Sequence, residues 1–424
     1  MQSWSFIEGK KVITITAIIL IMIIPRTDLT NRIENSRKWV FIYGRRKTGK
    51  TYIVENTVKY DEFFFVNRNG SIMNKKNNEI MTYQTFSVLF RRLLANDKTV
   101  VVDEFHRLGD EFLDIIHAIP KTGKLILITS TLFLARKLLT DHSPIMGLFN
   151  EIRVDIFSLE ETLKELSKYH LRKKELLELS IFAREPLAID YMDKTNPVPT
   201  ISGILLGSLR AIPTLVGEIF GEEGRTMTMV YNGILSAVAT GNISTGRISS
   251  FLFSRRLIQK DDPSIIQAYL GNLIKIGILK KIRIFNKNKF AYKISSPLIR
   301  LFFYAEENFA ISDRNVNIKE IDKILSTLLP RIVEDNVREF ISLQESLIET
   351  IVEDSDYEVD GYLLRFEKPQ VALEVKWENR VRDIDKIETN LLSIIAEERV
   401  LFVTDRSDLK SERIRLMDVS DLIG

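Results

Sequence analysis

From Trp39 to Phe157 the chain alternates short apolar runs, rich in β-branched residues, with stretches whose apolar positions recur at helical spacing. Segments 39–43, 62–66, 98–104, 124–129 and 152–157 read as strands, and 52–58, 85–94, 111–119 and 132–139 read as helices. Runs that stay apolar instead of alternating fit strands covered on both faces, which predicts a doubly wound α/β domain with a parallel sheet and its ligand at the carboxyl ends of the strands. After Val230 the pattern changes. Helices are expected at 231–239, 248–254 and 264–276, the last capped by Asp262-Pro263 and stopped by Gly277. Two alternating strands, 278–284 and 289–294, then come around a short turn, so three helices and a hairpin predict a winged helix-turn-helix. Past the aromatic stretch 301–304 a second α/β pattern appears: helix 330–342, strands 357–364 and 370–377, helix 383–398 and strand 399–404. The expected division is an N-terminal segment 1–37, an α/β core 38–157, a helical region 158–229, the winged helix 230–300 and a C-terminal α/β domain 301–424.

One apolar run breaks the scheme. Residues 12–24, VITITAIILIMII, lie behind Lys10 and Lys11 and end at Pro25. A spanning helix needs about 17–25 residues, so the run is short for a bilayer, although it has the length of a signal-peptide core and lacks a small-residue cleavage site. It also reads as a buried strand, or as sequence ahead of a true start at Met22, and the last account is the simplest beside a strand that begins at Trp39.

Composition narrows the chemistry. The 424 residues hold 60 Lys and Arg against 57 Asp and Glu, four His and no Cys. Disulfides, thiolate metal sites and Cys nucleophiles are excluded, leaving carboxylates, lysines, hydroxyls and backbone amides. A net charge of +3 announces no nucleic-acid binding by itself, so any basic surface is local.

The strand 39–43 runs into Gly44-Arg45-Arg46-Lys47-Thr48-Gly49-Lys50-Thr51, which is GxxxxGK[ST] between a strand and a helix. The glycines allow successive N–H groups to turn inward around phosphate, Lys50 reaches the β- and γ-phosphates, and the Thr51 hydroxyl ligates Mg²⁺. About fifty residues on, the run 98–104 ends in Asp103-Glu104. Asp103 is placed to hold Mg²⁺ and Glu104 to act as general base on the attacking water. ATP and Mg²⁺ are therefore the expected ligands, and a cytoplasmic location follows from that chemistry. Thr129-Ser130-Thr131 closes the next strand, where the side chains serve either to sense the γ-phosphate or to cap a helix.

These segments, GRRKTGKT with VVVDEFHRL and then LILITSTLFLARKLL, resemble the archaeal ATPase family within the STAND/AAA+ group of P-loop proteins. The resemblance implies a P-loop NTPase core, a helical lid, a winged helix and a C-terminal nuclease-like domain. It places a Gly-x-Pro-like turn near the adenine at 207–213, with Pro213 in the key position and Arg210 where a Gly is often found. The family's arginine after the sensor helix has no counterpart in 144–149, and Arg153 is offset from it. Asp360, followed by Glu374-Val375-Lys376, resembles the PD-(D/E)XK nuclease core, with Glu334 in the place of that fold's helical glutamate and Val359 where a Pro is usual. The resemblance implies Mg²⁺ held by Asp360, Glu374 and Glu334, with Lys376 orienting the attacking water.

DNA is the expected macromolecular partner. Arg255, Arg256, Lys260, Lys275, Lys280, Lys281, Arg283, Lys287, Lys289 and Lys293 concentrate positive charge in the winged helix, whose third helix would enter the major groove with Lys287 and Lys289 on the wing. Packing and protein contact are the other use of such a module. Three functions stand open: an ATP-hydrolysing switch, an ATP-gated DNA endonuclease, and a nucleotide-gated DNA-binding regulator without catalysis. Self-association is left open by the sequence.

Overall fold

The computed structural model describes residues 5–7, 10–12, 22–131, 147–192, 200–222, 227–352, 359–377, 381 and 383–423. Strands β1 (Ser5–Ile7) and β2 (Lys10–Val12) form a small antiparallel pair. Most of the apolar run, 13–21, lies outside the described residues, as does the helix expected at 132–139. Met22 and Ile24 are not in a strand. They are buried in the core of the helical region instead.

The expected parallel sheet is present. It is built from β3 (Trp39–Tyr43), β4 (Glu62–Val66), β5 (Ile72–Asn74), β6 (Glu79–Met81), β7 (Thr99–Asp103), β8 (Lys124–Thr129) and β9 (Phe149–Arg153), in the order β6-β5-β4-β7-β8-β3-β9. β4, β7, β8, β3 and β9 are mutually parallel, while β5 and β6 extend the edge as an antiparallel meander. Side-chain alternation sends Phe41, Val100, Val102, Leu125 and Leu127 to one face and Val40, Ile42, Val101, Ile126 and Ile128 to the other, and both faces are covered. β9 starts three residues earlier than the apolar run suggests. Its register with β3 ends at Arg153, with one further bond from the Val154 N–H to the Tyr43 carbonyl at 2.7 Å, and both Val154 and Phe157 are buried beyond the strand.

Helices 159–166, 173–183, 186–189, 201–208 and 211–222 form the region after the core. Helices Met229–Ala239, Thr245–Ser254 and Pro263–Lys275 precede an antiparallel hairpin, β10 (Leu279–Ile284) and β11 (Phe290–Ile294), and an isolated bridge between Ser244 and Ala291 adds a third short edge. Asp262 caps the third helix by accepting from the Ser264 N–H.

A boundary at 300 does not separate this hairpin from the C-terminal strands. β10 pairs in parallel with β12 (Ile348–Ile351), so the hairpin is the edge of a seven-stranded sheet that continues through β13 (Gly361–Arg365), β14 (Lys368–Lys376), β15 (Glu398–Val403) and β16 (Arg415–Met417). One hydrophobic core runs from the helices after the first sheet, through the three-helix unit, to Leu373, Val375 and Phe402. The helix expected to begin at Pro330 begins at Ile318, behind a capping box of Asn317 and Glu320, and runs unbroken to Gln344. Pro330 removes one backbone hydrogen bond there, whereas the buried face from Ile321 through Leu328, Ile332 and Val337 to Ile341 holds both halves in a single line.

Candidate functional site

The loop after β3 is shaped by its backbone. Lys47 and Gly49 both take left-handed conformations, φ 60° and 84°, and helix Lys50–Thr57 starts immediately after. Alternating handedness turns consecutive N–H groups toward one concavity, which the helix N-terminus completes. Gly44 is required for a different reason: a Cβ there would stand 2.0 Å from the Val154 carbonyl oxygen. Inside the loop the Thr48 hydroxyl donates to the Arg45 carbonyl at 3.0 Å, and Lys50 Nζ donates to the same oxygen at 2.7 Å. Burial pushes the Lys50 ammonium down to about 8, with Glu104 and Asp103 pulling the other way.

The carboxyl end of β7 supplies the opposite side. Asp103 accepts from the Thr51 hydroxyl at 2.7 Å and from the Glu104 N–H at 2.8 Å. Its carboxyl is pushed up to about 6, first by burial and then by the adjoining Glu104. Glu104 itself is left-handed, φ 55°, and reverses the chain into a 3₁₀ turn, Phe105–Leu108. Ser130 donates to the Glu104 carboxylate at 3.0 Å from either oxygen, His106 Nδ1 lies 3.3 Å from it, and Thr129 meets His106 at 2.9 Å. The open cavity between these elements is about 690 Å³. Arg46, Lys47, Thr48, Gly49, Lys50 and Thr51 line one wall, Glu104 and Ser130 lie at the base, and Phe65, Asn67, Arg68 and Arg107 make the far wall. That volume lies within the usual range for small-molecule sites.

The sequence pattern gave no sign of this far wall, nor of what Arg45 does. Arg45 turns away from the cavity and forms a 2.5 Å ion pair with Glu185, buried on both sides. Arg46 and Lys47 both reach Glu218 on helix 211–222, at 2.9 and 3.3 Å. The loop is thus held at three positions by the helical region. Pro213 is exposed in the first turn of that same helix and does not line the cavity. Arg153 is exposed and bonds Asp155 at 2.9 Å, also away from the cavity.

The C-terminal carboxylates converge in part. Glu334 and Asp360 face a cavity of about 290 Å³ between the long helix, β12 and the three-helix unit, which Lys293, Arg300, Arg331 and Arg338 also line. Burial raises Glu334 to about 7, and the nearby Asp360 adds to the effect. Asp360 is raised as well by burial, opposed by the Val375 N–H it accepts at 2.7 Å. It sits just before β13, not inside a strand, and residues 357 and 358 of the expected strand lie outside the described ones. Glu374 and Lys376 share a face of β14 and pair with each other. Burial works against the Lys376 charge, yet the bond to Glu374 holds it above the ordinary lysine value, and Asp360 and Glu334 contribute too. Among the described residues no group of three or more acidic or His side chains closes into a metal cage.

The basic residues divide. Lys293 is buried against Asp335, Lys280 bonds Glu339 at 2.8 Å, and Arg255 and Arg283 pair with Glu307 and Glu367. Lys281 lies over the Phe290 ring at 3.5 Å. Arg256, Lys275 and Lys289 are exposed.

Residues 36–163 match the model of an AAA domain. The chain is 25% identical, in an alignment of length 349, to an uncharacterized protein of Methanocaldococcus jannaschii, with 73% of each chain covered. Among solved structures it is similar to the Aeropyrum pernix ORC2 protein in ADPNP–ADP complexes, at 12% identity and a TM-score of 0.36, over 73% of this chain and 93% of that one. The A. pernix ORC1 protein in complex with DNA is 14% identical, with a TM-score of 0.28 over 71% and 97% of the two chains. The first sheet and its loops are accordingly an AAA-type domain.

Proposed function

We propose that this protein is an ATP-binding, Mg²⁺-dependent ATP-hydrolysing switch. The observation that carries the reading is one cavity lined by Arg46 to Thr51 of the loop and by Glu104 from the end of β7, with the Thr51 hydroxyl 2.7 Å from the Asp103 carboxylate beside it. The donor set fits the ligands: backbone N–H groups and Lys50 for phosphate oxygens, and a hydroxyl beside a carboxylate for a hard divalent ion. Mg²⁺ held by Thr51 and Asp103 would neutralise charge on the β- and γ-phosphates. Glu104, oriented by Ser130, takes a proton from water as it attacks the γ-phosphorus. Lys50 keeps its place through the Arg45 carbonyl until phosphate takes over its donors. Arg46 and Lys47 exchange Glu218 for nucleotide, and that exchange makes helix 211–222 the moving part of the switch. This chemistry belongs in the cytoplasm. The test is calorimetric binding of ATP–Mg²⁺ together with turnover: a wild-type protein that neither binds nor hydrolyses ATP refutes the reading.

A second activity is favoured by one observation, the shared approach of Glu334, Asp360 and Lys376 beside the three helices and hairpin, which we read as a winged helix. In this reading DNA lies along Arg256, Lys275 and Lys289, and the carboxylates serve divalent-dependent cleavage. Plasmid nicking lost on Asp360→Ala and on Lys376→Ala supports it. Nicking that survives both changes rejects it. Salt-dependent DNA affinity that shifts with ATP, without nicking, identifies a nucleotide-gated binding protein instead.

A further inference from the structure

The cavity has a cation that no motif announces. Glu104 is the N-cap of the 3₁₀ turn and Arg107 its third residue, and the Arg107 N–H donates to the Glu104 carbonyl at 3.1 Å, which holds the two residues close. The intervening side chains go elsewhere: Phe105 is buried in the sheet core, and His106 meets Thr129. Both Glu104 and Arg107 line the cavity. Arg107 is half-buried and its guanidinium is fixed in place, donating to the Val66 carbonyl at 2.8 Å with its centre 5.8 Å from the Phe65 ring. Arg68, the other arginine on this wall, is exposed in the turn after β4. Across the cavity, Arg46 and Lys47 share Glu218, and Arg153 points away.

We infer that Arg107 is a catalytic residue for phosphoryl transfer, contacting the γ-phosphate in cis; this rests on the ATP reading of the same cavity. As the water oxygen bonds to the γ-phosphorus, its proton passes to Glu104, and the bond from phosphorus to the β–γ bridging oxygen breaks, its electron pair leaving with ADP. Negative charge accumulates on the transferring group and the bridging oxygen. A planar guanidinium already anchored at the rim meets that charge without reorganising, which is where a preorganised donor acts most strongly.

The experiment compares wild type, Arg107→Ala and Arg107→Lys as full-length proteins. It measures thermal melting, ADP affinity, ATP turnover and affinity for ADP with aluminium fluoride, a mimic of the transferring phosphoryl group. The expected result for Arg107→Ala is ADP affinity within about twofold of wild type and turnover reduced about 10²–10³-fold, with a parallel loss of the aluminium fluoride complex. Arg107→Lys retains a cation that can hold the Val66 carbonyl but not the fork, so it melts like wild type and recovers only part of the rate. Turnover within a few-fold of wild type in Arg107→Ala, with Lys50→Ala inactive, overturns the role of Arg107 and leaves the ATP reading standing. Equal losses of ADP affinity and turnover assign Arg107 to holding β4 against β7 and also overturn it. Wild type that binds no nucleotide removes both.

Discussion

Replacing Arg45 with Ala should destabilise the protein far more than a loop substitution ordinarily does. The Arg45 guanidinium and the Glu185 carboxylate meet at 2.5 Å, with side-chain exposures of 5% and 0%. The second carboxylate oxygen of Glu185 has no hydrogen-bond partner among the described residues, so Arg45 is its main compensation. Removing one member of such a pair leaves a buried charge unbalanced, at a cost of about 3–5 kcal/mol. Arg45→Ala and Glu185→Ala should both fall in that range by urea unfolding. Arg45→Met with Glu185→Leu, which removes both charges and keeps most of the volume, should recover most of the loss or exceed wild type. The bonds from Thr48 and Lys50 go to the Arg45 main-chain carbonyl, so the loop interior survives the substitution. A cost below about 1 kcal/mol for Arg45→Ala, or a double variant as unstable as the sum of the singles, would refute the idea that this pair clamps the loop to the helical region.

Glu104→Gln should bind ATP as wild type does and lose turnover by at least about 10²-fold, since Gln accepts no proton; single-turnover kinetics with a binding titration checks it. Gly44→Ala forces a Cβ to within 2.0 Å of the Val154 carbonyl, and thermal melting should show a loss of several kcal/mol or a failure to fold, whereas Gly246→Ala, where a Cβ meets nothing within 4 Å, should be nearly neutral. For pH dependence, burial alone would raise Glu339, but Arg184 and Lys280 overcome it and hold the carboxyl well below the usual range. A depressed folded value means that its stabilisation is present above the unfolded value of about 4.3 and is lost as pH falls toward the folded one. Acid unfolding of Glu339→Gln should therefore start from lower stability near neutrality and lose less between about pH 5 and 2. A Gln variant with the wild-type slope contradicts the assignment.

The parts legible in the sequence are those whose information is local. The loop 44–51 and the Asp103-Glu104 strand end carry their pattern within a few residues, and the parallel sheet follows from apolar runs that never alternate. The partners of that loop were not legible, because Arg45 meets Glu185 140 residues away and Arg46 meets Glu218 172 away. Arg107 was in principle available through its spacing from Glu104, but only if the chain reverses at Glu104, and a positive φ at Glu is not a pattern that propensity suggests. Proline misled at 330, where a long buried face outweighs one missing hydrogen bond. The basic segment looked like a uniform surface because charge counts do not reveal burial. Lys293, counted toward DNA, is inside the protein beside Asp335. The join of β10 to β12 likewise depends on two short parallel contacts, Arg283 with Thr350 and Ile284 with Ile351, that no local pattern encodes.

The most direct test of the central claim is isothermal titration of ATP–Mg²⁺ into the full-length protein and into Lys50→Ala. Wild type should bind saturably and one-to-one, and removing the buried ammonium should cost at least about tenfold in affinity, with little change in melting temperature in the absence of nucleotide. Equal affinity in the two proteins, or no binding to wild type, would contradict it.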